Sequence, residues 1–265
     1  MIELKHVSKY IGGKIAVEDI SVKLQNGRIY AVLGQEGSGA STLLSLLAGA
    51  LEPDEGVVKI NGFDMSREPL SARQCVGYMP AGSALYESMT SLEYLMFVAE
   101  ARGLSYNRAV RRSNDMLEEA DLTREKNALI STLSTGKRRR LAVAQAAIGK
   151  NDILILDSPT AELNGPRSAE VLALIRTLAE GKTVILSCRD PKEALQIGDY
   201  VLLMSGGRLV SFEEATESLD LEERFLTLKE EGAPAEPVRR KKTAPERDGE
   251  YEIIDTDEDE GGDRG

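Results

Sequence analysis

Apolar positions along the chain fall into two kinds of pattern. IELKHVSKY and DISVKLQNGRIYAVLG alternate with polar residues, which predicts half-buried strands, and Asn26-Gly27 between them reads as a tight hairpin turn. GVVKING reads as another short strand. From Ser41 to Leu51 the spacing turns helical, and SLEYLMFVAEARGL, NRAVRRSNDMLEEADL and KRRRLAVAQAAIG then read as three amphipathic helices in succession. DILILDS and KTVILSC are continuous apolar runs, as expected of parallel strands buried on both faces, with the helix RSAEVLALIRTLAE between them. YVLLMSGGRLVSF closes as a hairpin, and LEERFLTLKEE is a final helix. Strands, a helical block and strands again predict one α/β core interrupted by a helical insertion.

Beyond Glu231 the pattern fades into Gly, Pro, Ala and charge, too poor in apolar residues to fold alone. A disordered charged tail is expected over 232–265. The net charge of −11 is mostly this tail: the last eighteen residues carry nine acids and one base. Acidity therefore says little about what the folded part binds. The RRKK block within the tail reads as a solvated linker, and no nucleic-acid partner is expected.

At 265 residues and 42% apolar, the chain can bury a full core in one large domain. No apolar run approaches the roughly 20 residues that span a bilayer, and no signal-peptide pattern opens the chain. The expectation is a soluble domain whose membrane contact runs through a partner. Cys75 and Cys188 lie far apart with no metal-ligand spacing, and read as partly buried thiols of a reducing cytoplasm. His6 is the only histidine, so histidine-centred catalysis has almost nothing to work with; it reads as an ordinary strand residue.

The candidate chemistry begins at GQEGSGAST, Gly34 to Thr42, between a buried strand and a helix. Gly34, Gly37 and Gly39 have the spacing of a phosphate-binding loop, in which backbone N–H groups close around phosphate at a helix N-terminus. Where such a loop carries lysine, this one has Ala40.

The order of motifs over about residues 2 to 230 resembles the ATP-binding subunit of ABC transporters. GQEGSGAST resembles the phosphate loop and LSTGKRRRLAVAQA the signature segment; ILILDSPTAELN resembles the second nucleotide motif and TVILSCRD the switch region. LYESMTSLEYLMFVAEARGL looks like the compact helical insertion of ABC-2-type exporters. The resemblance implies a P-loop NTPase core with an antiparallel β subdomain and a helical insertion at about 83–148, all within a cassette of residues 1–231. It implies a nucleotide held by Gly34, Gly37, Ser38, Gly39, Ala40, Ser41 and Thr42, with Tyr10 where the family stacks an aromatic ring on adenine. Ser41 and Asp157 would hold Mg²⁺, and Ser134 and Gly136 would carry the signature to a partner's site. Each position has a structural alternative: glycines suit any tight turn, Ser134 suits an N-cap, and Asp157 can hold the loop that follows it.

Against the family pattern, the reactive positions are replaced. Ala40 stands for the lysine and Ala81 for a glutamine that reads Mg²⁺ and water. Ser158 stands for a glutamate, Asn164 for an aspartate of the inter-subunit loop, and Arg189 for the switch histidine. Thr135 and Lys137 alter the signature, and Glu36 adds a negative charge to the phosphate loop. Arg189 and the KRRR run bring positive charge that could compensate.

The resemblance thus implies a cassette subunit with weak or absent ATP and Mg²⁺ binding and no assigned catalytic residue. It would dock on a membrane permease, on a second ATP-binding subunit, or on both, at the cytoplasmic face of the plasma membrane. The outward apolar residues expected to meet a permease are Leu85, Tyr86 and Met89. Two other readings stay open. One is a slow ATPase in an asymmetric heterodimer; the other is a soluble regulator that docks through RRKK and the acidic tail.

Overall fold

The computed structural model describes residues 1–82, 85–216 and 219–231. The expected tail over 232–265 lies outside them, as does the start of the helical insertion at residues 83–84.

The chain opens with β1 (Ile2–Ile11) and β2 (Lys14–Leu24), joined through Gly12-Gly13 with φ of 57° and 75°. Positive φ at both turn residues suits the right-handed twist of a hairpin, which is why two glycines stand there. β3 (Ile29–Gly34) and α1 (Ala40–Leu47) follow, then β4 (Glu55–Ile60), β5 (Phe63–Asp64), α2 (Pro69–Gln74) and β6 (Val76–Met79). The helical block is α3 (Ser91–Ala101), α4 (Tyr106–Glu119) and α5 (Thr135–Ala147). The chain then alternates through β7 (Ile153–Leu156), α6 (Gly165–Leu178), β8 (Thr183–Cys188) and α7 (Pro191–Ile197). It closes with β9 (Tyr200–Ser205), β10 (Arg208–Glu214) and α8 (Leu221–Glu231).

Two sheets result. An antiparallel sheet runs β2-β1-β4-β5, and a mixed sheet runs β10-β9-β3-β8-β7-β6, parallel except for the β9–β10 hairpin. The expected β2–β3 hairpin does not form: the two strands belong to different sheets. Its turn serves as a crossing between them, and the Gly27 N–H is given to Thr183 Oγ1 at 3.0 Å. The reason is in β3 itself, whose residues after Ile29 are all buried. Such a strand needs cover on both faces, and the centre of a parallel sheet supplies it.

His6 also departs from expectation. It lies in β1 with φ 48°, facing Asp19 at φ 44°, where the β1–β2 register shifts. Its Nδ1 is 3.0 Å from Asp19 Oδ1. This is a bulge held by a local side-chain pair rather than regular strand.

α1 packs between the sheets and buries Leu43, Leu44, Leu46 and Leu47. Each such side chain contributes about 1.5–3 kcal/mol on burial, so the helix behind the glycine loop is firmly anchored. On the other face of the mixed sheet, α5, α6 and α7 share a second core with the α3–α4 pair. α3 starts where Thr90 and Glu93 cap each other: Glu93 N donates to Thr90 Oγ1 at 3.2 Å, and Thr90 N to Glu93 Oε2 at 2.8 Å.

The parallel register fixes where chemistry can occur. Leu33 lies beside Cys188, Leu186 beside Leu156, and Leu156 beside Met79. The loops after four strands therefore leave from one edge, the carboxyl end where α/β sheets place their ligand sites.

Candidate functional site

At that edge lies a cavity of about 180 Å³, lined by Gly34 to Thr42 together with Ser158, Ser187, Cys188 and Arg189. The loop is shaped by its glycines. Gly37 and Gly39 have φ of 82° and 92°, and a Cβ on Gly39 would lie 2.3 Å from the Ala16 carbonyl oxygen. Only glycine fits there. Ser38 N donates to Gln35 O at 3.0 Å, closing the turn, and Leu43 N donates to Gly39 O at 2.9 Å as α1 begins. The loop wall therefore has the shape of a phosphate cradle.

Behind it, Asp157 is 2% exposed and acts as a hub. Its Oδ1 accepts from Ser187 Oγ at 2.6 Å, from Ser41 Oγ at 3.0 Å and, more loosely, from Ser158 Oγ at 3.4 Å. Ser158 N donates to Ser187 Oγ at 2.8 Å. Ser158 itself sits at φ 50°, an uncommon conformation for serine. Its hydroxyl turns onto Asp157 and Ser187. Ser41 and Asp157, the two residues expected to hold Mg²⁺, are thus hydrogen-bonded to each other. A hard cation takes oxygen ligands, and this set of one carboxylate and several hydroxyls fits that chemistry with a single negative charge. Ser187 was not legible as a member; the only signal was a serine inside an otherwise apolar buried strand.

The other expected residues scatter. Ala40 lines the cavity and opens α1, 8% exposed, with a methyl where a long cation would project. Tyr10 is 43% exposed on β1, where its N–H binds Asp54, and it does not line the cavity. Ala81, in the turn after β6, is outside the lining as well. Asn164 caps α6, its Oδ1 accepting from Arg167 N at 3.4 Å, so an amide here does structural work. Ser134 stands at the N-cap position of α5 without a side-chain bond, and Gly136 is buried in the first turn. Neither reaches the cavity of its own chain.

The KRRR run lies outside the cavity of its own chain. Lys137 pairs with Glu125 at 2.6 Å, Arg138 with Glu87 at 3.0 Å and Arg140 with Asp121 at 2.9 Å. None of the run lines the cavity. Arg189 does line it, and its Nη1 lies 3.4 Å from Glu36 Oε2.

Both cysteines are free thiols. Burial, with smaller contributions from Glu193 and Asp190, pushes the Cys188 thiol well up, which disfavours the thiolate at this wall of the cavity.

Glu193 on α7 is a second residue that sequence reading passed over. It accepts from Thr160 Oγ1 at 2.5 Å and Ser168 Oγ at 3.4 Å, tying the loop after Ser158 and the first turns of α6 to α7. Burial pushes its carboxyl above the ordinary 4.5, outweighing the two hydrogen bonds. A folded-state pKa above the unfolded one means that stability falls as pH rises from 4.5 through the folded value, and the penalty is complete above it. Glu193→Gln is therefore expected to melt higher than the parent at pH 7, with the gap closing as pH drops to about 4. Melting curves across that range check this; a gap independent of pH would refute it.

Fold and cavity together define a P-loop NTPase core. The family model described as ABC transporter matches residues 17–161. The linearmycin resistance ATP-binding protein LnrL of Bacillus subtilis (strain 168) is 30% identical over 218 residues, which is 82% of this chain and 70% of that protein. The human phospholipid-transporting ATPase ABCA3 is 32% identical over 212 residues, 78% of this chain but 12% of that much longer protein. A dimeric, post-hydrolysis structure of the ATP-binding cassette MJ0796 bound to ADP and Pi superposes with a TM-score of 0.74 at 26% identity, covering 82% of this chain and 99% of that one. The chain belongs to the ATP-binding family of ABC transporters. Among the described residues, no helix is long and apolar enough to cross a membrane.

Proposed function

We propose that this chain is a non-hydrolysing cassette subunit: it holds nucleotide weakly, and works by docking on a membrane permease and on a second ATP-binding subunit. The observation that carries the reading is the state of the cradle. Its own loop offers no ammonium, because Ala40 stands there, and the residue after Asp157 is a serine turned onto that aspartate rather than a carboxylate. Were Mg²⁺ bound, Ser41 and Asp157 would hold it, and it would supply neutralisation of phosphate charge. This chain's residues would then bind and orient phosphate through the loop N–H groups, with no carboxylate but that of Glu36 among the described residues lining the cavity to activate water. The direct test is ATP turnover by the purified protein, for which no rate above background is expected.

The docking half of the proposal rests on the helical block. Tyr86 and Phe97 are 50% and 46% exposed, and their ring centroids are 5.6 Å apart. Leu85 and Met89, expected to face outward with Tyr86, are partly buried against the core instead. The surface offered to a permease is thus aromatic, and suits an amphipathic helix of that subunit. The Ser134 end of α5, which does not meet this chain's own cradle, is the surface offered to a second cassette. The setting is the cytoplasmic face of a membrane, reached through the permease. Tyr86→Asp with Phe97→Asp is expected to reduce co-purification of the permease from native membranes by at least about tenfold, on the scale of losing two interface anchors. The melting temperature should stay unchanged. Undiminished recovery of the permease would overturn this docking surface.

A further inference from the structure

Among the described residues lining the cavity, Arg189 is the only cation and Glu36 the only anion, and they pair with each other at 3.4 Å. Glu36 belongs to the phosphate loop. Arg189 directly follows the carboxyl end of β8. Their side chains remain 88% and 65% exposed, so the pair spans the mouth rather than filling the interior. An ion pair this open is weak and cheap to break. The geometry points to a latch on the cradle: Arg189 is the cation through which this lysine-free site takes phosphate, and Glu36 holds it in reserve while opposing the entering charge.

This inference rests on reading the cavity as a weak nucleotide site, and names how that site is regulated. The remaining polar groups support it. Of the KRRR run, Lys137, Arg138 and Arg140 are engaged at Glu125, Glu87 and Asp121, and none of the run lines the cavity, so among the described lining residues there is no other cation. Asp157 accepts from the hydroxyls of Ser41 and Ser187 and presents no cation of its own to phosphate. A guanidinium presents paired donors that match phosphate oxygens, and so can stand in for an ammonium from a different direction. The ligand class is a polyphosphate, either free or as part of a nucleoside triphosphate. The latch opens when the phosphate displaces Glu36 as the partner of Arg189.

Calorimetric titration at low salt, with Mg-ATP and separately with tripolyphosphate, tests the latch on four proteins: the parent, Glu36→Gln, Arg189→Gln and the double variant. All substitutions lie at exposed side chains, and melting curves confirm folding. Glu36→Gln is expected to tighten both ligands by about threefold to tenfold, the range of a surface charge interaction. Arg189→Gln is expected to weaken both, and the double variant to bind no better than Arg189→Gln alone. The latch is overturned if Glu36→Gln gives the same gain with and without Arg189, because the glutamate then acts by repulsion alone. It is also overturned if ATP tightens but tripolyphosphate does not, or if none of the four proteins binds either ligand. Rapid ATP hydrolysis by the parent would instead sink the non-hydrolysing reading, while the tripolyphosphate ratios would still decide the latch.

Discussion

Purified protein is expected to turn over ATP no faster than background, and the expected deficit is large. Loss of a general base typically costs about 10²–10⁴ in rate. Here the residue after Asp157 is Ser158, which hydrogen-bonds Asp157 and receives its own support from Ser187. Loss of a charge-assisted bond to phosphate costs roughly 1.5–3 kcal/mol in addition, and Ala40 supplies none. The two losses are not additive, yet either suffices to prevent efficient turnover. A steady-state rate of ~1 s⁻¹, near the low end of ordinary enzymes, that disappears in Asp157→Ala would sink the reading. The control matters because a contaminating ATPase is indifferent to that substitution.

Restoring the lysine is expected to separate binding from chemistry. Ala40 opens α1 and lines the cavity, so Ala40→Lys places an ammonium at the cradle without disturbing the glycine turn. Nucleotide affinity should rise by about tenfold to a hundredfold, the worth of one charge-assisted bond, while hydrolysis stays near background. Adding Ser158→Glu should still leave turnover far from normal. The new side chain would have to leave the Asp157–Ser187 network at a residue with φ 50°, and Ala81 and Arg189 remain as they are. Calorimetry and a coupled turnover assay read the two effects separately. An ordinary rate from these two substitutions would show that the other replacements matter little.

Much of the scaffold was legible in the chain. The apolar runs of β7 and β8, the hairpin of β9 and β10, and the helices α3 to α6 follow from local period. The phosphate loop follows from glycine spacing, because positive φ at Gly37 and Gly39 is a property of the residues themselves. Ser41 and Asp157 were expected together and are hydrogen-bonded at 3.0 Å. Tyr10 and Ala81 were expected at the nucleotide and lie outside the cavity lining. No sequence spacing fixes how far a side chain stands from a pocket built by other elements.

What only the tertiary structure decided was pairing between distant residues. Period and turn chemistry report which face of an element is apolar, and by themselves they determined most of the longer elements and the loop, but not the short β5, α2, β6 and α7. They did not report that β3 leaves β2 for the other sheet, since Asn26-Gly27 is as good a crossing as a hairpin. They did not report that Ser187, 30 residues from Asp157, supplies its shortest hydrogen bond, or that Glu36 meets Arg189 across 153 residues. Those partners are chosen by the register of parallel strands, which carries Ala31, Leu186 and Leu156 to one level and the loops after their strands to one edge. A hydrogen bond or ion pair is formed by whatever the register brings within about 3 Å. The sequence supplied the donors and acceptors, and strand pairing selected among them.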